Sequence, residues 1–359
     1  MLIQKVRLND FRNFKTKLFE FSPKTTVIIG PNASGKTNIL ESLFLLSTGK
    51  SFHARVEEEM VNYDADLARV KGRVKTDGTV VDLETVLTRG FLDIGKSAPE
   101  KIAKKRLLVN GVGKRLIDFA GNFRVTLFGP WDLDLVTESP TLRRRFMDTV
   151  ISQVDREYRR ASLSYEKGLR QRNRLLLRIR EEGISRSQLL FWNKLLVKNG
   201  DYISLKREEF VDFSNLTEAL NDQRFILEYD RSPISEARLE QYAEEEVAAA
   251  TTLVGPHRDD FTFNISASGE PRRSRNLDRF GSRGEQRMGV LWLKLAELAF
   301  IEHISRERPT LLLDDIFSEL DDAHREVVMK ASKNQQTIIT TADPHFTEKL
   351  KKVEKISLP

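Results

Sequence analysis

One stretch near the start of the chain has the residue types and spacing that bind nucleotide phosphates. Residues 30–37 fit the pattern G-x-x-x-x-G-K-[ST]. Glycines let successive backbone N–H groups approach phosphate oxygens, and the following helix adds the partial positive charge of its N-terminus. In such a loop Lys36 reaches the β- and γ-phosphates, and the Thr37 hydroxyl binds Mg²⁺. We therefore predict ATP and Mg²⁺ as cofactors. The predicted nucleotide-binding residues are Gly30, Pro31, Asn32, Ala33, Ser34, Gly35, Lys36, Thr37 and Asn38.

Two adjacent carboxylates follow an apolar run later in the chain. Residues 310–313 are Thr-Leu-Leu-Leu, and Asp314 and Asp315 come directly after them. Such a strand delivers its carboxylates to the edge of an α/β sheet where ligands bind. We predict that Asp314 binds Mg²⁺ together with Thr37, and that Asp315 orients or deprotonates the attacking water. The predicted catalytic residues are thus Lys36, Asp314 and Asp315. The alternative interpretation is an aspartate cap after a core strand.

Two further segments resemble motifs that distinguish ABC ATPases from other P-loop proteins. Residues 318–321 resemble the D-loop, and residues 281–287 (Gly-Ser-Arg-Gly-Glu-Gln-Arg) resemble a variant of the ABC signature. In ABC proteins the signature serves the ATP held by the partner subunit. The residues that this resemblance assigns to nucleotide binding are Ser282, Gly284 and Gln286. The alternative is an ordinary helix N-terminus, with Ser282 as its cap and Glu285 as the capping-box partner.

These motifs need a sheet to position them. The β-branched run at 25–29 predicts a buried strand before the loop, and a helical pattern follows from Thr37. Alternating segments predict strands near the N-terminus and at 69–110, and further strands are predicted at 310–313 and 337–341. The section from about 140 to 220 predicts a helical hairpin with a break at Gly183.

The fold class predicted from this order is α/β, with an ABC-type P-loop ATPase head and an inserted second lobe. We assign residues 1–124 and 290–359 to the ATPase lobe, which is discontinuous. Residues 125–289 form the insertion, which is mainly helical and includes the signature segment. The helices lack a sustained heptad pattern, so we expect an SMC-like head without a long coiled coil.

The composition describes a water-soluble protein. Of the 359 residues, 31% are charged and 40% are hydrophobic, and cysteine is absent. No apolar run approaches the roughly 20 residues that a membrane span requires. The first residues lack the layout of a signal peptide. We therefore predict a cytoplasmic protein that does not associate with membranes.

The formal net charge of +6 is unevenly distributed along the chain. Basic clusters attract a polyanion because binding releases its condensed counterions. We predict phosphate contacts to DNA, without base readout, for the residues Lys104, Lys105, Arg106, Arg159, Arg160, Arg170, Arg172 and Arg174. The alternative is that these clusters are solvated helix faces.

Several segments together resemble one family, the RecF proteins of bacterial recombinational repair. The resemblance spans nearly the whole chain in order and is carried by residues 9–14, 38–42, 49–52, 128–133, 139–140, 143–148 and 255–260, with the Ser-Arg-Gly-Glu-Gln signature. The segments Arg143–Asp148 and Gly255–Asp260 are specific to this family. One departure is His53, because the family has arginine after Ser51-Phe52.

The resemblance implies a head-only relative of the SMC ATPases, with weak ATPase activity that DNA stimulates. It implies an ATP-dependent homodimer that binds double-stranded DNA at gaps or single-strand/double-strand junctions. It also implies RecR as a direct partner, with RecO and RecA as functional partners in RecA loading, and a role in DNA replication, recombination, repair and the SOS response.

Some alternatives stay open from the sequence. The chain could instead be the nucleotide-binding subunit of an ABC transporter, or a P-loop kinase. The residue that senses the γ-phosphate is Thr341 or Asp343, after the strand at 337–341. Arg12 contacts either nucleotide or DNA.

Overall fold

The computed structural model describes residues 1–76, 78–92, 100–220, 222–267, 274–318, 320, 322–343 and 353–359. Within them the strands are, in chain order, β1 (Leu2–Phe11), β2 (Phe14–Glu20), β3 (Thr25–Ile29), β4 (Leu67–Thr76), β5 (Thr79–Thr88), β6 (Phe91–Leu92), β7 (Glu100–Lys101), β8 (Lys105–Val109), β9 (Val112–Lys114), β10 (Val125–Phe128), β11 (Gln223–Asp230), β12 (Asp260–Ala267), β13 (Arg275–Asn276), β14 (Thr310–Asp314), β15 (Thr337–Thr341) and β16 (Glu354–Ser357).

The α-helices in the same residues are α1 (Lys36–Thr48), α2 (Leu116–Phe119), α3 (Asp134–Thr137), α4 (Pro140–Val154), α5 (Arg156–Glu182), α6 (Leu190–Asn215), α7 (Glu236–Gln241), α8 (Ala243–Ala249), α9 (Leu277–Phe280), α10 (Arg283–Ser305) and α11 (Asp322–Ser332). The described part of the chain contains no helix that is both long enough and apolar enough to cross a bilayer.

The chain divides into two compact units. Unit 1 comprises Met1–Asp132 and Glu297–Pro359, and unit 2 comprises Leu133–Ala296. The predicted boundaries were 124/125 and 289/290. The first of these cuts off β10, which pairs in parallel with β14 and belongs to unit 1. This strand is short and wholly buried, so it has no alternation that would announce it in the sequence.

A six-stranded sheet in unit 1 has the order β2-β1-β4-β5-β8-β9. The pairs β1–β2, β1–β4 and β4–β5 are antiparallel, which confirms the alternating strands predicted near the N-terminus. The β4 side chains alternate between buried and exposed positions over nearly the whole strand. One face of the sheet therefore packs on the core, and the other face meets solvent.

A five-stranded sheet, also in unit 1, has the order β10-β14-β15-β3-β16. Its pairs are all parallel, so the carboxyl ends of its strands lie at one edge. The loop after β3 and the acidic pair at the end of β14 meet at this edge, and β15 lies between those two strands. Strands were predicted here, but the order in which they pair was not.

The core of unit 1 is built around α1. Most residues of this helix are buried, and it contacts strands of both sheets. Such all-round burial is typical of a helix inside a large core rather than at its surface. The position of the helix N-terminus is therefore fixed by packing on several elements.

Unit 2 contains the helices α3 to α9, most of α10, and a three-stranded sheet of order β11-β12-β13. Helices α5 and α6 pack against each other. Gly183, with φ of 68°, ends α5, which confirms the predicted break in the hairpin. The structure adds a third long helix, α4, which ends at Asp155, the N-cap of α5.

Candidate nucleotide site and basic surfaces

The loop between β3 and α1 has the backbone of a phosphate cradle. Gly35 has φ of 100°, and Ala33 has φ of 66°. A Cβ atom on Gly35 would lie 2.7 Å from side-chain atoms of Asn13 and Phe14. Only glycine combines this left-handed conformation with so close an approach. The turn between β1 and β2 therefore packs directly against the loop.

Polar side chains of the loop are poised for an anion. The Lys36 ammonium donates to the carbonyl oxygens of Gly30 and Pro31, at 2.7 and 2.9 Å, and holds the loop curled. The Ser34 hydroxyl is buried and has no hydrogen-bond partner within the described ranges. Buried hydroxyls without partners are rare and call for a ligand or another cause. The cradle thus fits phosphate oxygens.

Asp314 at the end of β14 joins two elements through its carboxylate. The Thr37 hydroxyl donates to Oδ2 at 2.8 Å, and the Thr340 hydroxyl donates to Oδ1 at 2.6 Å. Carboxylate and hydroxyl oxygens are hard ligands of the kind that Mg²⁺ prefers beside substrate phosphates. The structure therefore brings together the two residues predicted to bind the metal, although they are 277 positions apart in the chain.

Asp315 occupies a constrained backbone position directly after Asp314. Its φ of 50° is in the left-handed region, which few residues other than glycine adopt. Its N–H donates to the carbonyl oxygen of Thr340 at 3.2 Å and to the hydroxyl of Thr340 at 3.1 Å. The acidic pair therefore ends in a fixed turn.

Asn13 and Asn38 tie the β1–β2 turn to the start of α1. The Asn38 amide donates to Asn13 Oδ1 at 2.9 Å, and the Asn13 amide donates to the Ser34 carbonyl at 3.2 Å. Asn38 was predicted to bind nucleotide, and the structure shows its side chain supporting the loop. Asn13 was not singled out as a site residue.

Arg12 has a structural position in unit 1. Its guanidinium forms two hydrogen bonds of 2.7 Å with the buried Glu41 carboxylate and a third with the Glu59 carbonyl. Ser51 donates to the same Glu41 carboxylate and accepts the backbone N–H of His53. Arg12, which was predicted to contact either nucleotide or DNA, thus forms an ion pair inside unit 1. The side chain of His53 is exposed.

The signature segment forms the N-terminus of α10. The Ser282 N–H donates to Glu285 Oε2 at 2.8 Å, and the Glu285 N–H donates to Ser282 Oγ at 3.3 Å. This reciprocal pair is the capping box that the sequence offered as the alternative. The Gln286 amide is buried and donates to the carbonyl oxygens of Leu277 and Asp278 in α9. A Cβ on Gly284 would lie 3.9 Å from the Ser282 hydroxyl oxygen. In the D-loop resemblance, Glu319 and Asp321 lie outside the described residues.

The two residues considered as γ-phosphate sensors lie at the end of β15 and just after it. Thr341 is buried, and its hydroxyl accepts the backbone N–H of Asp343 at 3.0 Å. The neighbour Thr340 makes the contact with Asp314 instead. No sequence motif includes Thr340, although strand alternation puts it on the opposite face from Thr341.

Most of the residues predicted to contact DNA are engaged within the chain, and one prediction is wrong. Arg172 is 1% exposed and forms a buried ion pair with Glu246 at 2.6 Å. It lies at helical spacing with the buried Tyr165 and Leu176, so its place on the inner face of α5 was readable from the sequence.

The other residues predicted to contact DNA differ in whether their side chains already have a partner within the chain. Lys104 and Lys105 pair with Glu58 and Glu57. On α5 the residues with a partner in the same helix or just before it are Arg159, Arg160 and Arg170. Arg106 and Arg174 are exposed, and no described residue pairs with either. Their assignment to DNA stays a prediction.

The outer face of the six-stranded sheet has a basic surface that was not among the predicted DNA contacts. Successive outward residues of β4 are basic, and two of them, Lys71 and Arg73, stand opposite Arg7 and Lys5 of β1. We define this basic face as Lys5, Arg7, Arg69, Lys71, Arg73 and Lys75. Alternating basic residues spaced two apart along β4 are a signal that was visible in the sequence.

Acidic side chains of β5 offset part of this charge. Arg73 forms a bidentate pair with Asp82, which lowers the pKa of that carboxyl, and Arg69 lies 3.2 Å from Glu84. Arg7 and Lys75 are exposed, and neither forms an ion pair with a described residue. The face therefore keeps an excess of positive charge on a solvated surface.

The two family-specific segments meet in a buried polar network of unit 2. Arg143 holds Asp260 with hydrogen bonds of 2.7 and 2.9 Å. Arg207 lies 2.8 Å from Asp148 and 3.1 Å from Asp259, both from those segments. Asp259 is completely buried and accepts further hydrogen bonds from Ser204, Tyr229 and the Ser232 N–H. These motif residues are thus scaffold, with their charges satisfied inside the unit.

Comparisons with known proteins place the chain among characterised relatives. It matches the family model "RecF/RecN/SMC N terminal domain" over residues 2–358. It is 36% identical over 369 residues to DNA replication and repair protein RecF of Herpetosiphon aurantiacus, covering 96% of this chain and 94% of that protein. It is 35% identical over 366 residues to the protein of the same name from an Exiguobacterium species, covering 96% and 93%.

Solved structures give the same relationship. A structure of the recombination mediator protein RecF-ATPrS in the RecFOR pathway superposes with a TM-score of 0.84 at 29% identity, covering 96% of this chain and 93% of that chain. A structure of RecF-ATP in the same pathway gives a TM-score of 0.83 at 29% identity, covering 95% and 92%.

Proposed function

Because this chain belongs to the RecF family, within the RecF/RecN/SMC N-terminal domain group, we propose that it is an ATP-dependent DNA-binding protein of recombinational repair. The family and the ABC/SMC-type head fold, both expected from the motifs, are confirmed. The observation that carries the proposal is the contact of Thr37 with Asp314, which joins the phosphate loop to the acidic strand at one sheet edge.

In this proposal the loop residues bind ATP and the acidic pair hydrolyses it. Backbone N–H groups between Gly30 and Thr37 surround the phosphates, and Lys36 exchanges its carbonyl partners for phosphate oxygens. Thr37 and Asp314 would hold Mg²⁺, which would supply positive charge beside the phosphates. Asp315 orients the attacking water and accepts its proton. Its fixed turn suits this role because catalysis depends on orientation.

We further propose that ATP closes a homodimer. The N-terminus of α10, with Ser282 and Gly284, would meet the γ-phosphate held by unit 1 of a second copy. The helix N-terminus supports this through the partial positive charge of its dipole, which favours anions, and the Gly284 backbone carries no side chain that would block a ligand. Gln286 anchors the helix start from within. Slow hydrolysis then resets the dimer.

Double-stranded DNA at gaps or junctions is the proposed polyanion. The basic face supports this, because Arg7 and Lys75 present charge that no described carboxylate neutralises. Arg106 and Arg174 are further candidate phosphate contacts. RecR as a direct partner, with RecO and RecA as functional partners, is carried over from the family resemblance. A cytoplasmic location is proposed from the composition of the chain.

The proposal is tested by ATP turnover with and without duplex DNA, measured as released phosphate. We expect weak wild-type hydrolysis that duplex DNA increases, and Asp315→Asn should bind a fluorescent ATP analogue without turning ATP over. Ser282→Arg should keep analogue binding in unit 1 and lose DNA stimulation. Wild-type turnover that is insensitive to DNA at low salt would contradict the proposed DNA dependence.

A further inference from the structure

Thr340 lies at the centre of the acidic site although no motif includes it. It is on β15, directly opposite Asp314 in the parallel register with β14, and opposite Ile28 in the register with β3. It is completely buried. Its strand therefore connects the one that carries the acidic pair with the one that leads into the phosphate loop.

The hydroxyl of Thr340 has a defined set of partners. It donates to Asp314 Oδ1 at 2.6 Å, and its oxygen accepts the Asp315 N–H at 3.1 Å. Its single proton is committed to the carboxylate, since the Leu313 carbonyl is farther away at 3.4 Å. One hydroxyl thus fixes the rotamer of one carboxylate and the backbone of the next.

Both fixed groups need such support. Thr37 is the partner of Asp314 Oδ2, and it is also a proposed metal ligand, whereas Thr340 has no other assigned role. The left-handed backbone of Asp315 persists only where its surroundings hold it. Hydrogen-bond partners behind a metal-binding carboxylate set its orientation and basicity.

We propose that Thr340 is a positioning residue that aims Asp314 at Mg²⁺ and Asp315 at the attacking water. The inference rests on the proposed ATPase function and deepens it. Thr340 acts through the two aspartates and does not itself touch substrate. Loss of its hydroxyl therefore weakens the metal site and slows the chemical step, while the phosphate loop still binds nucleotide.

The test compares Thr340→Val, which replaces the hydroxyl with a methyl group, against Thr340→Ser, which keeps the hydroxyl. Thr126→Val is a matched control, because Thr126 is equally buried on β10 of the same sheet and its hydroxyl has no hydrogen-bond partner within the described residues. Should Thr340→Val not fold, Thr340→Ala and Thr340→Ser give the same comparison, since both lack the methyl group.

Three readouts separate a positioning role from a structural one: kcat and KM for ATP, affinity for a fluorescent ATP analogue without divalent ions, and Mn²⁺ affinity of the analogue complex by electron paramagnetic resonance. For Thr340→Val we expect kcat and Mn²⁺ affinity to fall by roughly 10- to 100-fold. We expect metal-free analogue affinity within about twofold of wild type, and both Thr340→Ser and Thr126→Val to match wild type in all readouts.

Unchanged kcat and Mn²⁺ affinity in folded Thr340→Val, beside normal wild-type turnover, would overturn the inference alone. So would equal losses in Thr340→Ala and Thr340→Ser. A wild-type protein that binds neither analogue nor Mn²⁺–analogue would remove the proposed function, and the inference with it.

Discussion

The phosphate-loop site of unit 1 and the buried arginine network of unit 2 are both built from motif residues, yet they treat charge differently. In unit 2, Arg207 and Asp259 satisfy each other and their neighbours inside the fold. In unit 1, Lys36 bonds only to backbone carbonyls, and the Ser34 hydroxyl has no partner in the described ranges. A motif charge that is paired with an opposite charge supports the fold, whereas a motif donor that contacts only neutral groups, or none, is available to an anionic ligand.

Removing a charge from the unit 2 network should lower the stability of the protein more than any other change considered. Asp259→Ala leaves Arg207 buried with one carboxylate fewer, so we expect the free energy of unfolding to fall by about 3–5 kcal/mol. Urea denaturation measures it. The matched control is Asp82→Ala, which breaks a bidentate pair on an exposed face and should cost at most about 1 kcal/mol. Equal losses in the two variants would contradict the assignment of the network as scaffold.

The corresponding change in unit 1 should affect ligand binding instead. Lys36→Met removes the ammonium that is proposed to contact the phosphates, so affinity for ATP should fall by about 100-fold or more, or about 2.7 kcal/mol. Calorimetric titration measures the affinity, and urea denaturation checks stability. A destabilised variant that still bound ATP normally would show that Lys36 supports the fold and does not bind the phosphates.

Acidic pH should weaken unit 2 through His257. Its Nδ1 accepts the Tyr165 hydroxyl, its Nε2 donates to the Thr252 carbonyl, and burial lowers its pKa from 6.5 to about 4. Below pH 6.5 the unfolded chain binds a proton that folded His257 does not. Stability is therefore fully present above pH 6.5 and falls as the pH drops toward 4, by about 2 kcal/mol between pH 7 and 5. Urea titrations of His257→Gln should show a smaller fall over that interval. A parallel fall would exclude this histidine as the cause.

Duplex DNA binding should distinguish the basic face of the sheet from the arginines of α5. Removing the unpaired charges Arg7 and Lys75 together by glutamine should weaken duplex binding by roughly 10-fold at low salt and reduce the salt dependence by about one counterion per lost contact. Fluorescence anisotropy with ATP present measures both. Arg174→Gln on α5 is the comparison. A larger loss of duplex affinity in that variant would favour α5 over the basic face as the DNA contact.

The sequence predicted those features whose signal is local. The phosphate loop and the acidic pair are short motifs with a strand before each, so their place at a sheet edge followed from pattern alone. The capping box at Ser282 and the helix end at Gly183 are local in the same sense.

Features that depend on strand order or on burial across elements were not predicted. Thr340 matters because β15 lies between β14 and β3, a pairing that no local pattern encodes. Arg12 matched a family segment, but its partner Glu41 lies 29 residues away, and only the fold shows that the two pair. Arg172 lies in a cationic stretch, which predicted a DNA contact, but its helical spacing with Tyr165 and Leu176 places it on the buried face of α5.

The proposed function requires that a second copy of the chain complete the site for the ATP bound by unit 1. The direct measurement is molar mass by light scattering of Asp315→Asn, with and without Mg-ATP, beside the same protein carrying Ser282→Arg. We predict a shift from the 41.3 kDa monomer to a dimer with ATP for Asp315→Asn, and no shift when Ser282→Arg is added. A mass that ATP leaves unchanged, with nucleotide binding confirmed, would contradict the proposed ATP-dependent dimer.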